Sequence, residues 1–191
     1  MMPQTQAPSQ SPSPAPGGPL LDRLADYAAY HRDRRNIATH FVGIPMIVLA
    51  VQVLLSRPSL GAAGLTPALL ASLAAAVWYL RLDARFGLVM TALLALGLWA
   101  AQAMAALATP AWLGAGLGLF VVGWAFQFLG HLWEGRKPAF VDDLRGLIVG
   151  PLFVVAEAGF ALGWRAPLRE AIERRTGPLR RGPGGTSSVA G

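Results

Sequence analysis

Four long apolar segments, each close to the length that crosses a bilayer, constrain this chain more than any other feature of its sequence. They lie at about residues 37–55, 60–80, 87–108 and 111–132. A helix needs about 20 apolar residues to cross the hydrocarbon core. Because lipid offers no partner for unpaired backbone groups, such segments must be helical. The sequence therefore predicts an all-α integral membrane protein built around a helical bundle.

A fifth apolar segment, 146–164, departs from this pattern because it contains Pro151, Glu157 and internal glycines. Its topology can be judged from basic residues, which are in excess in cytoplasmic loops. With four spans and a cytoplasmic N-terminus, a spanning fifth segment leaves nine of the 16 Lys and Arg residues inside and seven outside. A re-entrant or interfacial segment leaves fifteen inside and one outside. We therefore predict four spans plus a re-entrant or interfacial fifth segment.

The remaining parts of the chain are polar or amphipathic. Residues 1–19 are rich in Pro, Ser and Gln, which predicts a disordered tail. Residues 20–31 repeat apolar side chains at helical spacing, which indicates an N-terminal amphipathic helix at the membrane surface. We assign 20–165 to a single membrane-embedded domain that carries the candidate site. Residues 166–191 are predicted to form a basic, largely disordered C-terminal tail.

Composition limits the chemistry that this chain can perform. It has no cysteine, so any metal must be held by imidazole, carboxylate, carbonyl or water. The net charge is +6, but the charges flank apolar runs, where they indicate topology and contact with the lipid bilayer. We therefore expect no nucleic-acid partner. The sequence also contains no HExxH motif, nucleophile elbow or phosphate-binding loop.

The chain has three histidines, and the predicted topology places all of them at one level of the membrane. His31 ends the amphipathic helix, His40 lies in the first turn of the first span, and His131 lies in the last turn of the fourth. On one continuous helix, His31 and His40 would point in opposite directions because they are nine positions apart. A shared site therefore requires a break in the run RDRRN, with Asp33 or Asn36 starting the new helix.

Polar residues accompany the histidines at helical spacing. Gln127, His131 and Glu134 share one face of the fourth span, and Asn36 lies four positions before His40 on the first. A His and a Glu three positions apart on an inward helix face can build a metal site in a bundle. Imidazole and carboxylate without thiolate suit Fe(II), Mn or Zn. The sequence thus predicts a metal site at this level of the membrane.

Other interpretations stay open for the same residues. A single interfacial histidine is most often an amphipathic headgroup contact, and carboxylates beside basic residues are most often solvated ion pairs. Glu157 lies within a membrane segment, where a carboxylate is costly and usually functional. It is interpreted as a metal ligand, a partner that orients a histidine, or a protonated packing residue.

Three segments, YHRDRRNIATHFVGIP, WAFQFLGHLWEGRKPAF and GPLFVVAEAGF, resemble the family of the membrane 2-hydroxy fatty acid dioxygenase that acts in phytosphingosine breakdown. The resemblance covers roughly residues 20–165. One departure is WEGRKPA, where the family often has Phe-Glu-Lys-Arg. The matching positions are His31, Asn36, His40, Gly43, Pro45, Gln127, Gly130, His131, Glu134, Pro138, Ala139, Pro151, Phe153 and Glu157.

The resemblance implies an Fe(II)-dependent dioxygenase that converts a long-chain 2-hydroxy fatty acid and O2 into CO2 and the acid one carbon shorter. The implied metal ligands are His31, His40 and His131. The residues in catalytic or supporting roles are Glu134, Glu157, Asn36 and Gln127. The candidates for binding the substrate carboxylate are Arg34, Arg35, Arg136 and Lys137.

Two alternatives belong to other classes: a non-enzymatic lipid-binding membrane protein, and a zinc-dependent membrane hydrolase that uses the same histidines. The expected location is a bacterial inner membrane, or the endoplasmic reticulum in a eukaryote, with the site facing the cytoplasm.

Overall fold

Seven helices make up the architecture of the computed structural model within residues 18–61, 64–138, 141 and 143–180, the part of the chain that it describes. This part contains no β-strand, and the predicted all-α membrane bundle is confirmed. In chain order the helices are α1 (Pro19–Ala28), α2 (Arg34–Ser56), α3 (Pro67–Leu82), α4 (Ala84–Ala105), α5 (Thr109–Glu134), α6 (Gly146–Ala161) and α7 (Ala166–Thr176).

The helices α2, α4 and α5 are long and apolar enough to cross a bilayer, with 23, 22 and 26 residues. The pair α6 and α7 passes the same test when taken together, but it is bent by 116° at the break between the two helices. Such a bend is the geometry of a broken span or a re-entrant segment. The described residues thus contain three spanning helices, or four if the bent pair counts as one.

The helix α3 is shorter than the predicted second span, 60–80, because it begins seven positions later. The Thr66 side chain accepts a hydrogen bond from the Leu69 amide, and Pro67 follows in the first turn. Both features favour a helix start. The result is an apolar helix of 16 residues, below the length that usually spans.

The chain breaks between α1 and α2, as a site shared by the first two histidines requires. Asp33 caps α2: its backbone is extended, and its side chain accepts from the Arg35 amide at 2.8 Å. Asn36, the alternative start, lies inside the helix instead. The turn over residues 29–33 redirects the chain, so that His31 lies beside the first turns of α2.

The helices α2 and α5 cross at a pair of glycines. A Cβ at Gly43 would lie 2.7 Å from the Gly123 carbonyl oxygen, and a Cβ at Gly123 would lie 2.9 Å from the Gly43 carbonyl oxygen. Any side chain would therefore force the helices apart, as in other membrane helix pairs that pack through small residues. This contact fixes the level of His40 on α2 against that of His131 on α5.

The helix α1 packs over the bent pair, with Leu24, Phe153 and Ile172 in one buried cluster. The segment 166–191, predicted as a largely disordered tail, therefore starts with the helix α7. This helix contacts residues that are distant in sequence: Ile172 packs in the buried cluster with α1, and Arg175 pairs with Asp22 of α1 at 2.6 Å. The residues after 180 lie outside the described part of the chain.

Candidate metal site

The three histidines converge in the folded chain. One ligand atom from each lies within 4.8 Å of the others, and all three residues are buried. The ring centroids are 4.5 Å apart for His31 and His40, 5.0 Å for His31 and His131, and 5.2 Å for His40 and His131. Small side-chain rotations would bring three such nitrogens around a single ion.

Backbone carbonyls orient two of the rings. Nδ1 of His31 donates to the Tyr27 carbonyl at 2.7 Å, and Nδ1 of His40 donates to the Asn36 carbonyl at 2.8 Å. A carbonyl oxygen can only accept, so the proton is on Nδ1 and Nε2 is left with its lone pair. Metal-binding histidines usually have this arrangement, in which the distal ring nitrogen is held by an acceptor.

The buried nitrogens fit a metal in their charge state. Burial lowers the pKa of the His31 imidazole well below its ordinary value, and the neighbouring His40 lowers it further. Neutral imidazole is the form that binds metal ions. Nε2 of His31 and Nδ1 of His131 are both buried without a hydrogen-bond partner among the described residues. An ion between the rings would give such orphaned atoms a partner.

Glu134 anchors the loop that carries His31. Its Oε2 accepts from the backbone amides of Arg32 at 3.0 Å and Asp33 at 2.8 Å, and from Asn36 Nδ2 at 3.1 Å. Its Oε1 accepts from the guanidinium of Arg180 at 2.5 Å. The carboxylate therefore joins the end of α5 to the start of α2, and its two oxygens are engaged by four donors.

Asn36 and Gln127, both predicted site residues, lie in the same buried layer. The Asn36 carbonyl accepts from His40, while its side chain donates to Glu134, so it links the anchor to the triad. Gln127 is buried, and its Nε2 has no acceptor within the described part of the chain. Such an amide is available to a ligand.

A small cavity of about 60 Å³ lies beside the triad. His40, His131 and Gln127 contribute its polar wall, and Val48 and Leu147 are among the apolar residues opposite. Ligand sites commonly combine an apolar lining with a few polar groups in this way. The cavity thus gives a ligand access to two of the three imidazoles.

The predicted partners of the substrate carboxylate are placed around the site rather than in the lining of this cavity. Arg35 makes two side-chain hydrogen bonds to Asp33, and Arg136 donates to the Ala29 carbonyl at 2.8 Å. The exposed basic residues among these candidates are Arg34, Arg136 and Lys137.

Glu157 lies on α6, outside the cavity lining and outside the cluster of donor atoms found among the described residues. Its carboxylate is within electrostatic range of Arg32 and Arg169. The structure therefore places it on the side of the site where the loop and α7 meet.

Two residues that support the site were not predicted. The Tyr27 ring stacks on His31 with centroids 4.2 Å apart and planes 9° apart. Its position four residues before a histidine repeats the spacing of Asn36 and His40, which is a signal that the sequence offers. Arg180 offers none, because it lies in a polar segment and meets Glu134 through tertiary folding alone.

Fold and site together define a helical membrane protein with a buried triad of histidines. Over residues 19–162 the chain matches the sequence model of the family described as 2-hydroxy-palmitic acid dioxygenase Mpo1-like. It is 32% identical over 156 residues to the 2-hydroxy-palmitic acid dioxygenase MPO1 of Saccharomyces cerevisiae, covering 81% of this chain and 87% of that protein. The chain belongs to the Mpo1-like family, and the resemblance seen in its sequence is confirmed. No solved structure matches it.

Proposed function

We propose that this protein is an iron-dependent dioxygenase that converts a long-chain 2-hydroxy fatty acid and O2 into CO2, water and the fatty acid one carbon shorter. The reaction balances as RCH(OH)COOH + O2 giving RCOOH + CO2 + H2O, so it needs no external reductant. The observation that carries the proposal is the buried triad of His31, His40 and His131 in a chain of the Mpo1-like family.

The three imidazoles would hold the metal. Ferrous iron, when bound, would supply O2 activation and a binding point for the hydroxyl and carboxylate of the substrate. The carbonyls of Tyr27 and Asn36 accept hydrogen bonds from Nδ1 of His31 and His40. The lone pair of each ring is therefore on Nε2, which faces away from the carbonyl. A site with three protein ligands leaves coordination positions open for exogenous molecules.

The neighbouring residues take separate roles in this proposal. Gln127 donates a hydrogen bond from its buried Nε2 to the substrate carboxylate, since it lines the same cavity as His40 and His131. Asn36 and Glu134 position the ligands through the hydrogen bonds that link the loop, α2 and α5. Glu157 balances the charge of Arg32, which is its electrostatic neighbour.

The proposal also gives the protein an orientation. The basic residues around the triad support a site that faces the cytoplasm, by the positive-inside rule. This membrane would be the inner membrane of a bacterium or the endoplasmic reticulum of a eukaryote.

The test is anaerobic purification, loading with Fe(II), and addition of 2-hydroxypalmitate and O2. We expect release of CO2 and the C15 acid, about one iron per chain, and loss of both metal and turnover in His31→Ala, His40→Ala and His131→Ala. Trp99→Ala is the control, because this side chain is 71% exposed and distant in sequence from the triad.

Other results would support the competing classes. Bound zinc with no consumption of O2 would favour a metal-dependent hydrolase. Freshly purified protein without metal, and unaffected by the triple histidine substitution, would leave a non-enzymatic lipid-binding protein.

A further inference from the structure

A second and much larger cavity, of about 580 Å³, lies among the helices next to the small cavity beside the triad. Its walls come from α2, α3, α5 and α6, with Leu94 contributed by α4. No Asp, Glu, Lys or Arg side chain lines it within the described part of the chain. Its size falls within the range of about 300–1,000 Å³ that is typical of ligand sites, and its lining is almost entirely apolar.

This cavity adjoins the one beside the histidines, and the two share part of their lining. The residues that line both of them are Ile47, Val48, Trp124, Leu147 and Pro151. A flexible apolar chain that extends from the triad past these side chains would enter the larger space. The polar end of such a ligand would stay beside His40, His131 and Gln127.

The shape of the larger cavity is set by small side chains on α3. Along this helix the lining runs from Tyr79 to Ala68, which is about 16 Å at the helical rise of 1.5 Å per residue. Between these ends the lining residues are Ala71, Ser72 and Ala75. Larger side chains at these positions would fill the cavity. The cavity therefore depends on the methyl and hydroxymethyl side chains that α3 presents there.

A buried polar bridge holds the helices around this space. Gln52 of α2 is 4% exposed, and its Nε2 donates to Ser72 Oγ at 3.1 Å and to the Leu94 carbonyl at 3.0 Å. These bonds join α2 to α3 and α4 across the cavity wall. Hydrogen bonds between membrane helices stabilise their association, so the bridge fixes the positions of three helices that form the cavity wall.

We propose that this cavity holds the acyl chain of the substrate and that Ala71 and Ala75 determine which chain lengths fit. The inference rests on the proposed function and extends it to substrate selection. The lining shared with the cavity beside the triad, the absence of charge and the extended shape all favour an acyl chain as the occupant. Ala71 is exposed, so the cavity opens toward the lipid, from which such a chain would enter.

The two alanines differ in their position along the cavity. Ala75 is four residues nearer to Tyr79 and the start of α6, and Ala71 is nearer to the distal end. Leucine at Ala71 would obstruct only the terminal part of a long chain, while leucine at Ala75 would obstruct a part closer to the reacting end. The preferred chain length should therefore fall in both variants, and further in Ala75→Leu.

The experiment measures kcat/KM for 2-hydroxy acids of graded length, with the full chain loaded with Fe(II) in lipid nanodiscs. We expect Ala71→Leu to lose at least about tenfold on the longest acids relative to the shortest, and Ala75→Leu to extend this loss to intermediate lengths. Ala74→Leu is the matched control, because it is the same substitution on an exposed face of α3 outside the cavity lining.

A binding measurement separates this inference from the proposed function. Trp124 lines both cavities. A fatty acid brominated along the acyl chain should therefore quench the fluorescence of Trp124, and Trp124→Phe gives the signal of the other tryptophans as the reference. Suppose that the wild type turns over no 2-hydroxy acid, but this quenching occurs and weakens in Ala75→Leu. The proposed reaction would then be wrong, whereas binding of an acyl chain in the cavity would be supported. An unchanged length profile and unchanged quenching in both leucine variants, or no Trp124 quenching in the wild type, would overturn the inference.

Discussion

At the level of single residues, the site depends on a carboxylate that lies beside the triad and outside its cluster of donor atoms. Glu134 receives hydrogen bonds from Arg32, Asp33, Asn36 and Arg180, and its side chain is fully buried. Two of these donors are backbone amides in the loop that carries His31. A charged acceptor of this kind contributes more than a neutral one, because its hydrogen bonds are charge-assisted.

The substitution Glu134→Gln should weaken metal binding by about 10- to 100-fold while the helical fold persists. The amide nitrogen of glutamine cannot accept a hydrogen bond, so some donors now facing the carboxylate would lose their partner, and the His31 loop would lose its fixed position. The measurement is Fe(II) affinity, with thermal unfolding as a check on the fold.

Glu170→Gln serves as the control, because the Glu170 side chain is 68% exposed on α7. Wild-type affinity in Glu134→Gln would show that the anchor has no positioning role. Complete loss of metal, equal to that of His131→Ala, would show instead that the carboxylate is itself a ligand.

At the level of helices, the crossing of α2 and α5 sets the spacing of two of the three imidazoles. The pair Gly43 and Gly123 permits backbone contact between these helices, and His40 and His131 lie on the same two helices. A change in the distance between the helix axes would therefore change the distance between the two rings.

Gly123→Ala should lower both thermal stability and metal affinity. The new Cβ would meet Ile47 Cγ1 at 2.8 Å and the Gly43 carbonyl oxygen at 2.9 Å, and overpacking of this kind costs about 1–3 kcal/mol. The same substitution at Gly118 of α5 is the matched control, since a Cβ there meets nothing within 4 Å. Equal behaviour of the two variants would mean that close packing at Gly123 does not determine the site.

At the level of the whole molecule, one ion pair connects the turn between α3 and α4 to the bend between α6 and α7. Asp83 separates α3 from α4, accepts from the Phe86 amide at 2.9 Å, and pairs with Arg165 at 2.8 Å. Arg165 lies at the bend between α6 and α7, with a left-handed backbone (φ 58°) that is unfavourable for a residue other than glycine. The ion pair therefore helps to hold the bend in place.

The Asp83 pair should make stability depend on pH. Burial raises the pKa of Asp83, but its bonds from the Phe86 amide and the Arg165 guanidinium outweigh this, and the net pKa is lowered. A lowered pKa in the folded state means that the stabilisation is present above the unfolded pKa of about 4 and is lost as the pH falls through the folded value.

Asp83→Asn should thus destabilise the protein by about 1 kcal/mol near neutral pH, because asparagine can still cap α4 but cannot pair with Arg165. The difference from the wild type should vanish in acid, as followed by thermal unfolding across a pH series. If the difference in stability between Asp83→Asn and the wild type stays constant even below the pKa of the Asp83 carboxyl group, the ion pair is ruled out as its cause.

The sequence predicted those parts of this molecule that repeat a local pattern. Apolar runs predicted the bundle, and the nine-residue spacing of His31 and His40 required the break that Asp33 provides. The start of α3 at Pro67 was missed because the hydropathy of the preceding residues continues across the cap. Apolar patterning is averaged over a window, whereas a cap depends on single side chains.

The structure of residues 166–180 could not be predicted, because their contacts are with residues distant in sequence. Arg180 meets Glu134 across 46 positions, and its backbone pairs with that of Arg32 and Arg34. Nothing in the composition of this segment distinguishes it from a disordered basic tail. Proximity in sequence suggests the four basic candidates for the substrate carboxylate, but it does not reveal that Arg35 and Arg136 have other partners.

The loop that presents His31 is held by residues that come much later in the chain. The backbone amide of Asp33 donates a hydrogen bond to the Glu134 carboxylate, which is 101 positions later, and the Arg32 carbonyl accepts one from the Arg180 amide at 2.7 Å. During synthesis His31 therefore emerges long before the residues that fix its loop, Glu134 and Arg180. The triad forms only after His131 has been synthesised, and its loop is fixed only once Arg180 has followed, so binding of a metal ion here would be a late step in the biogenesis of this protein.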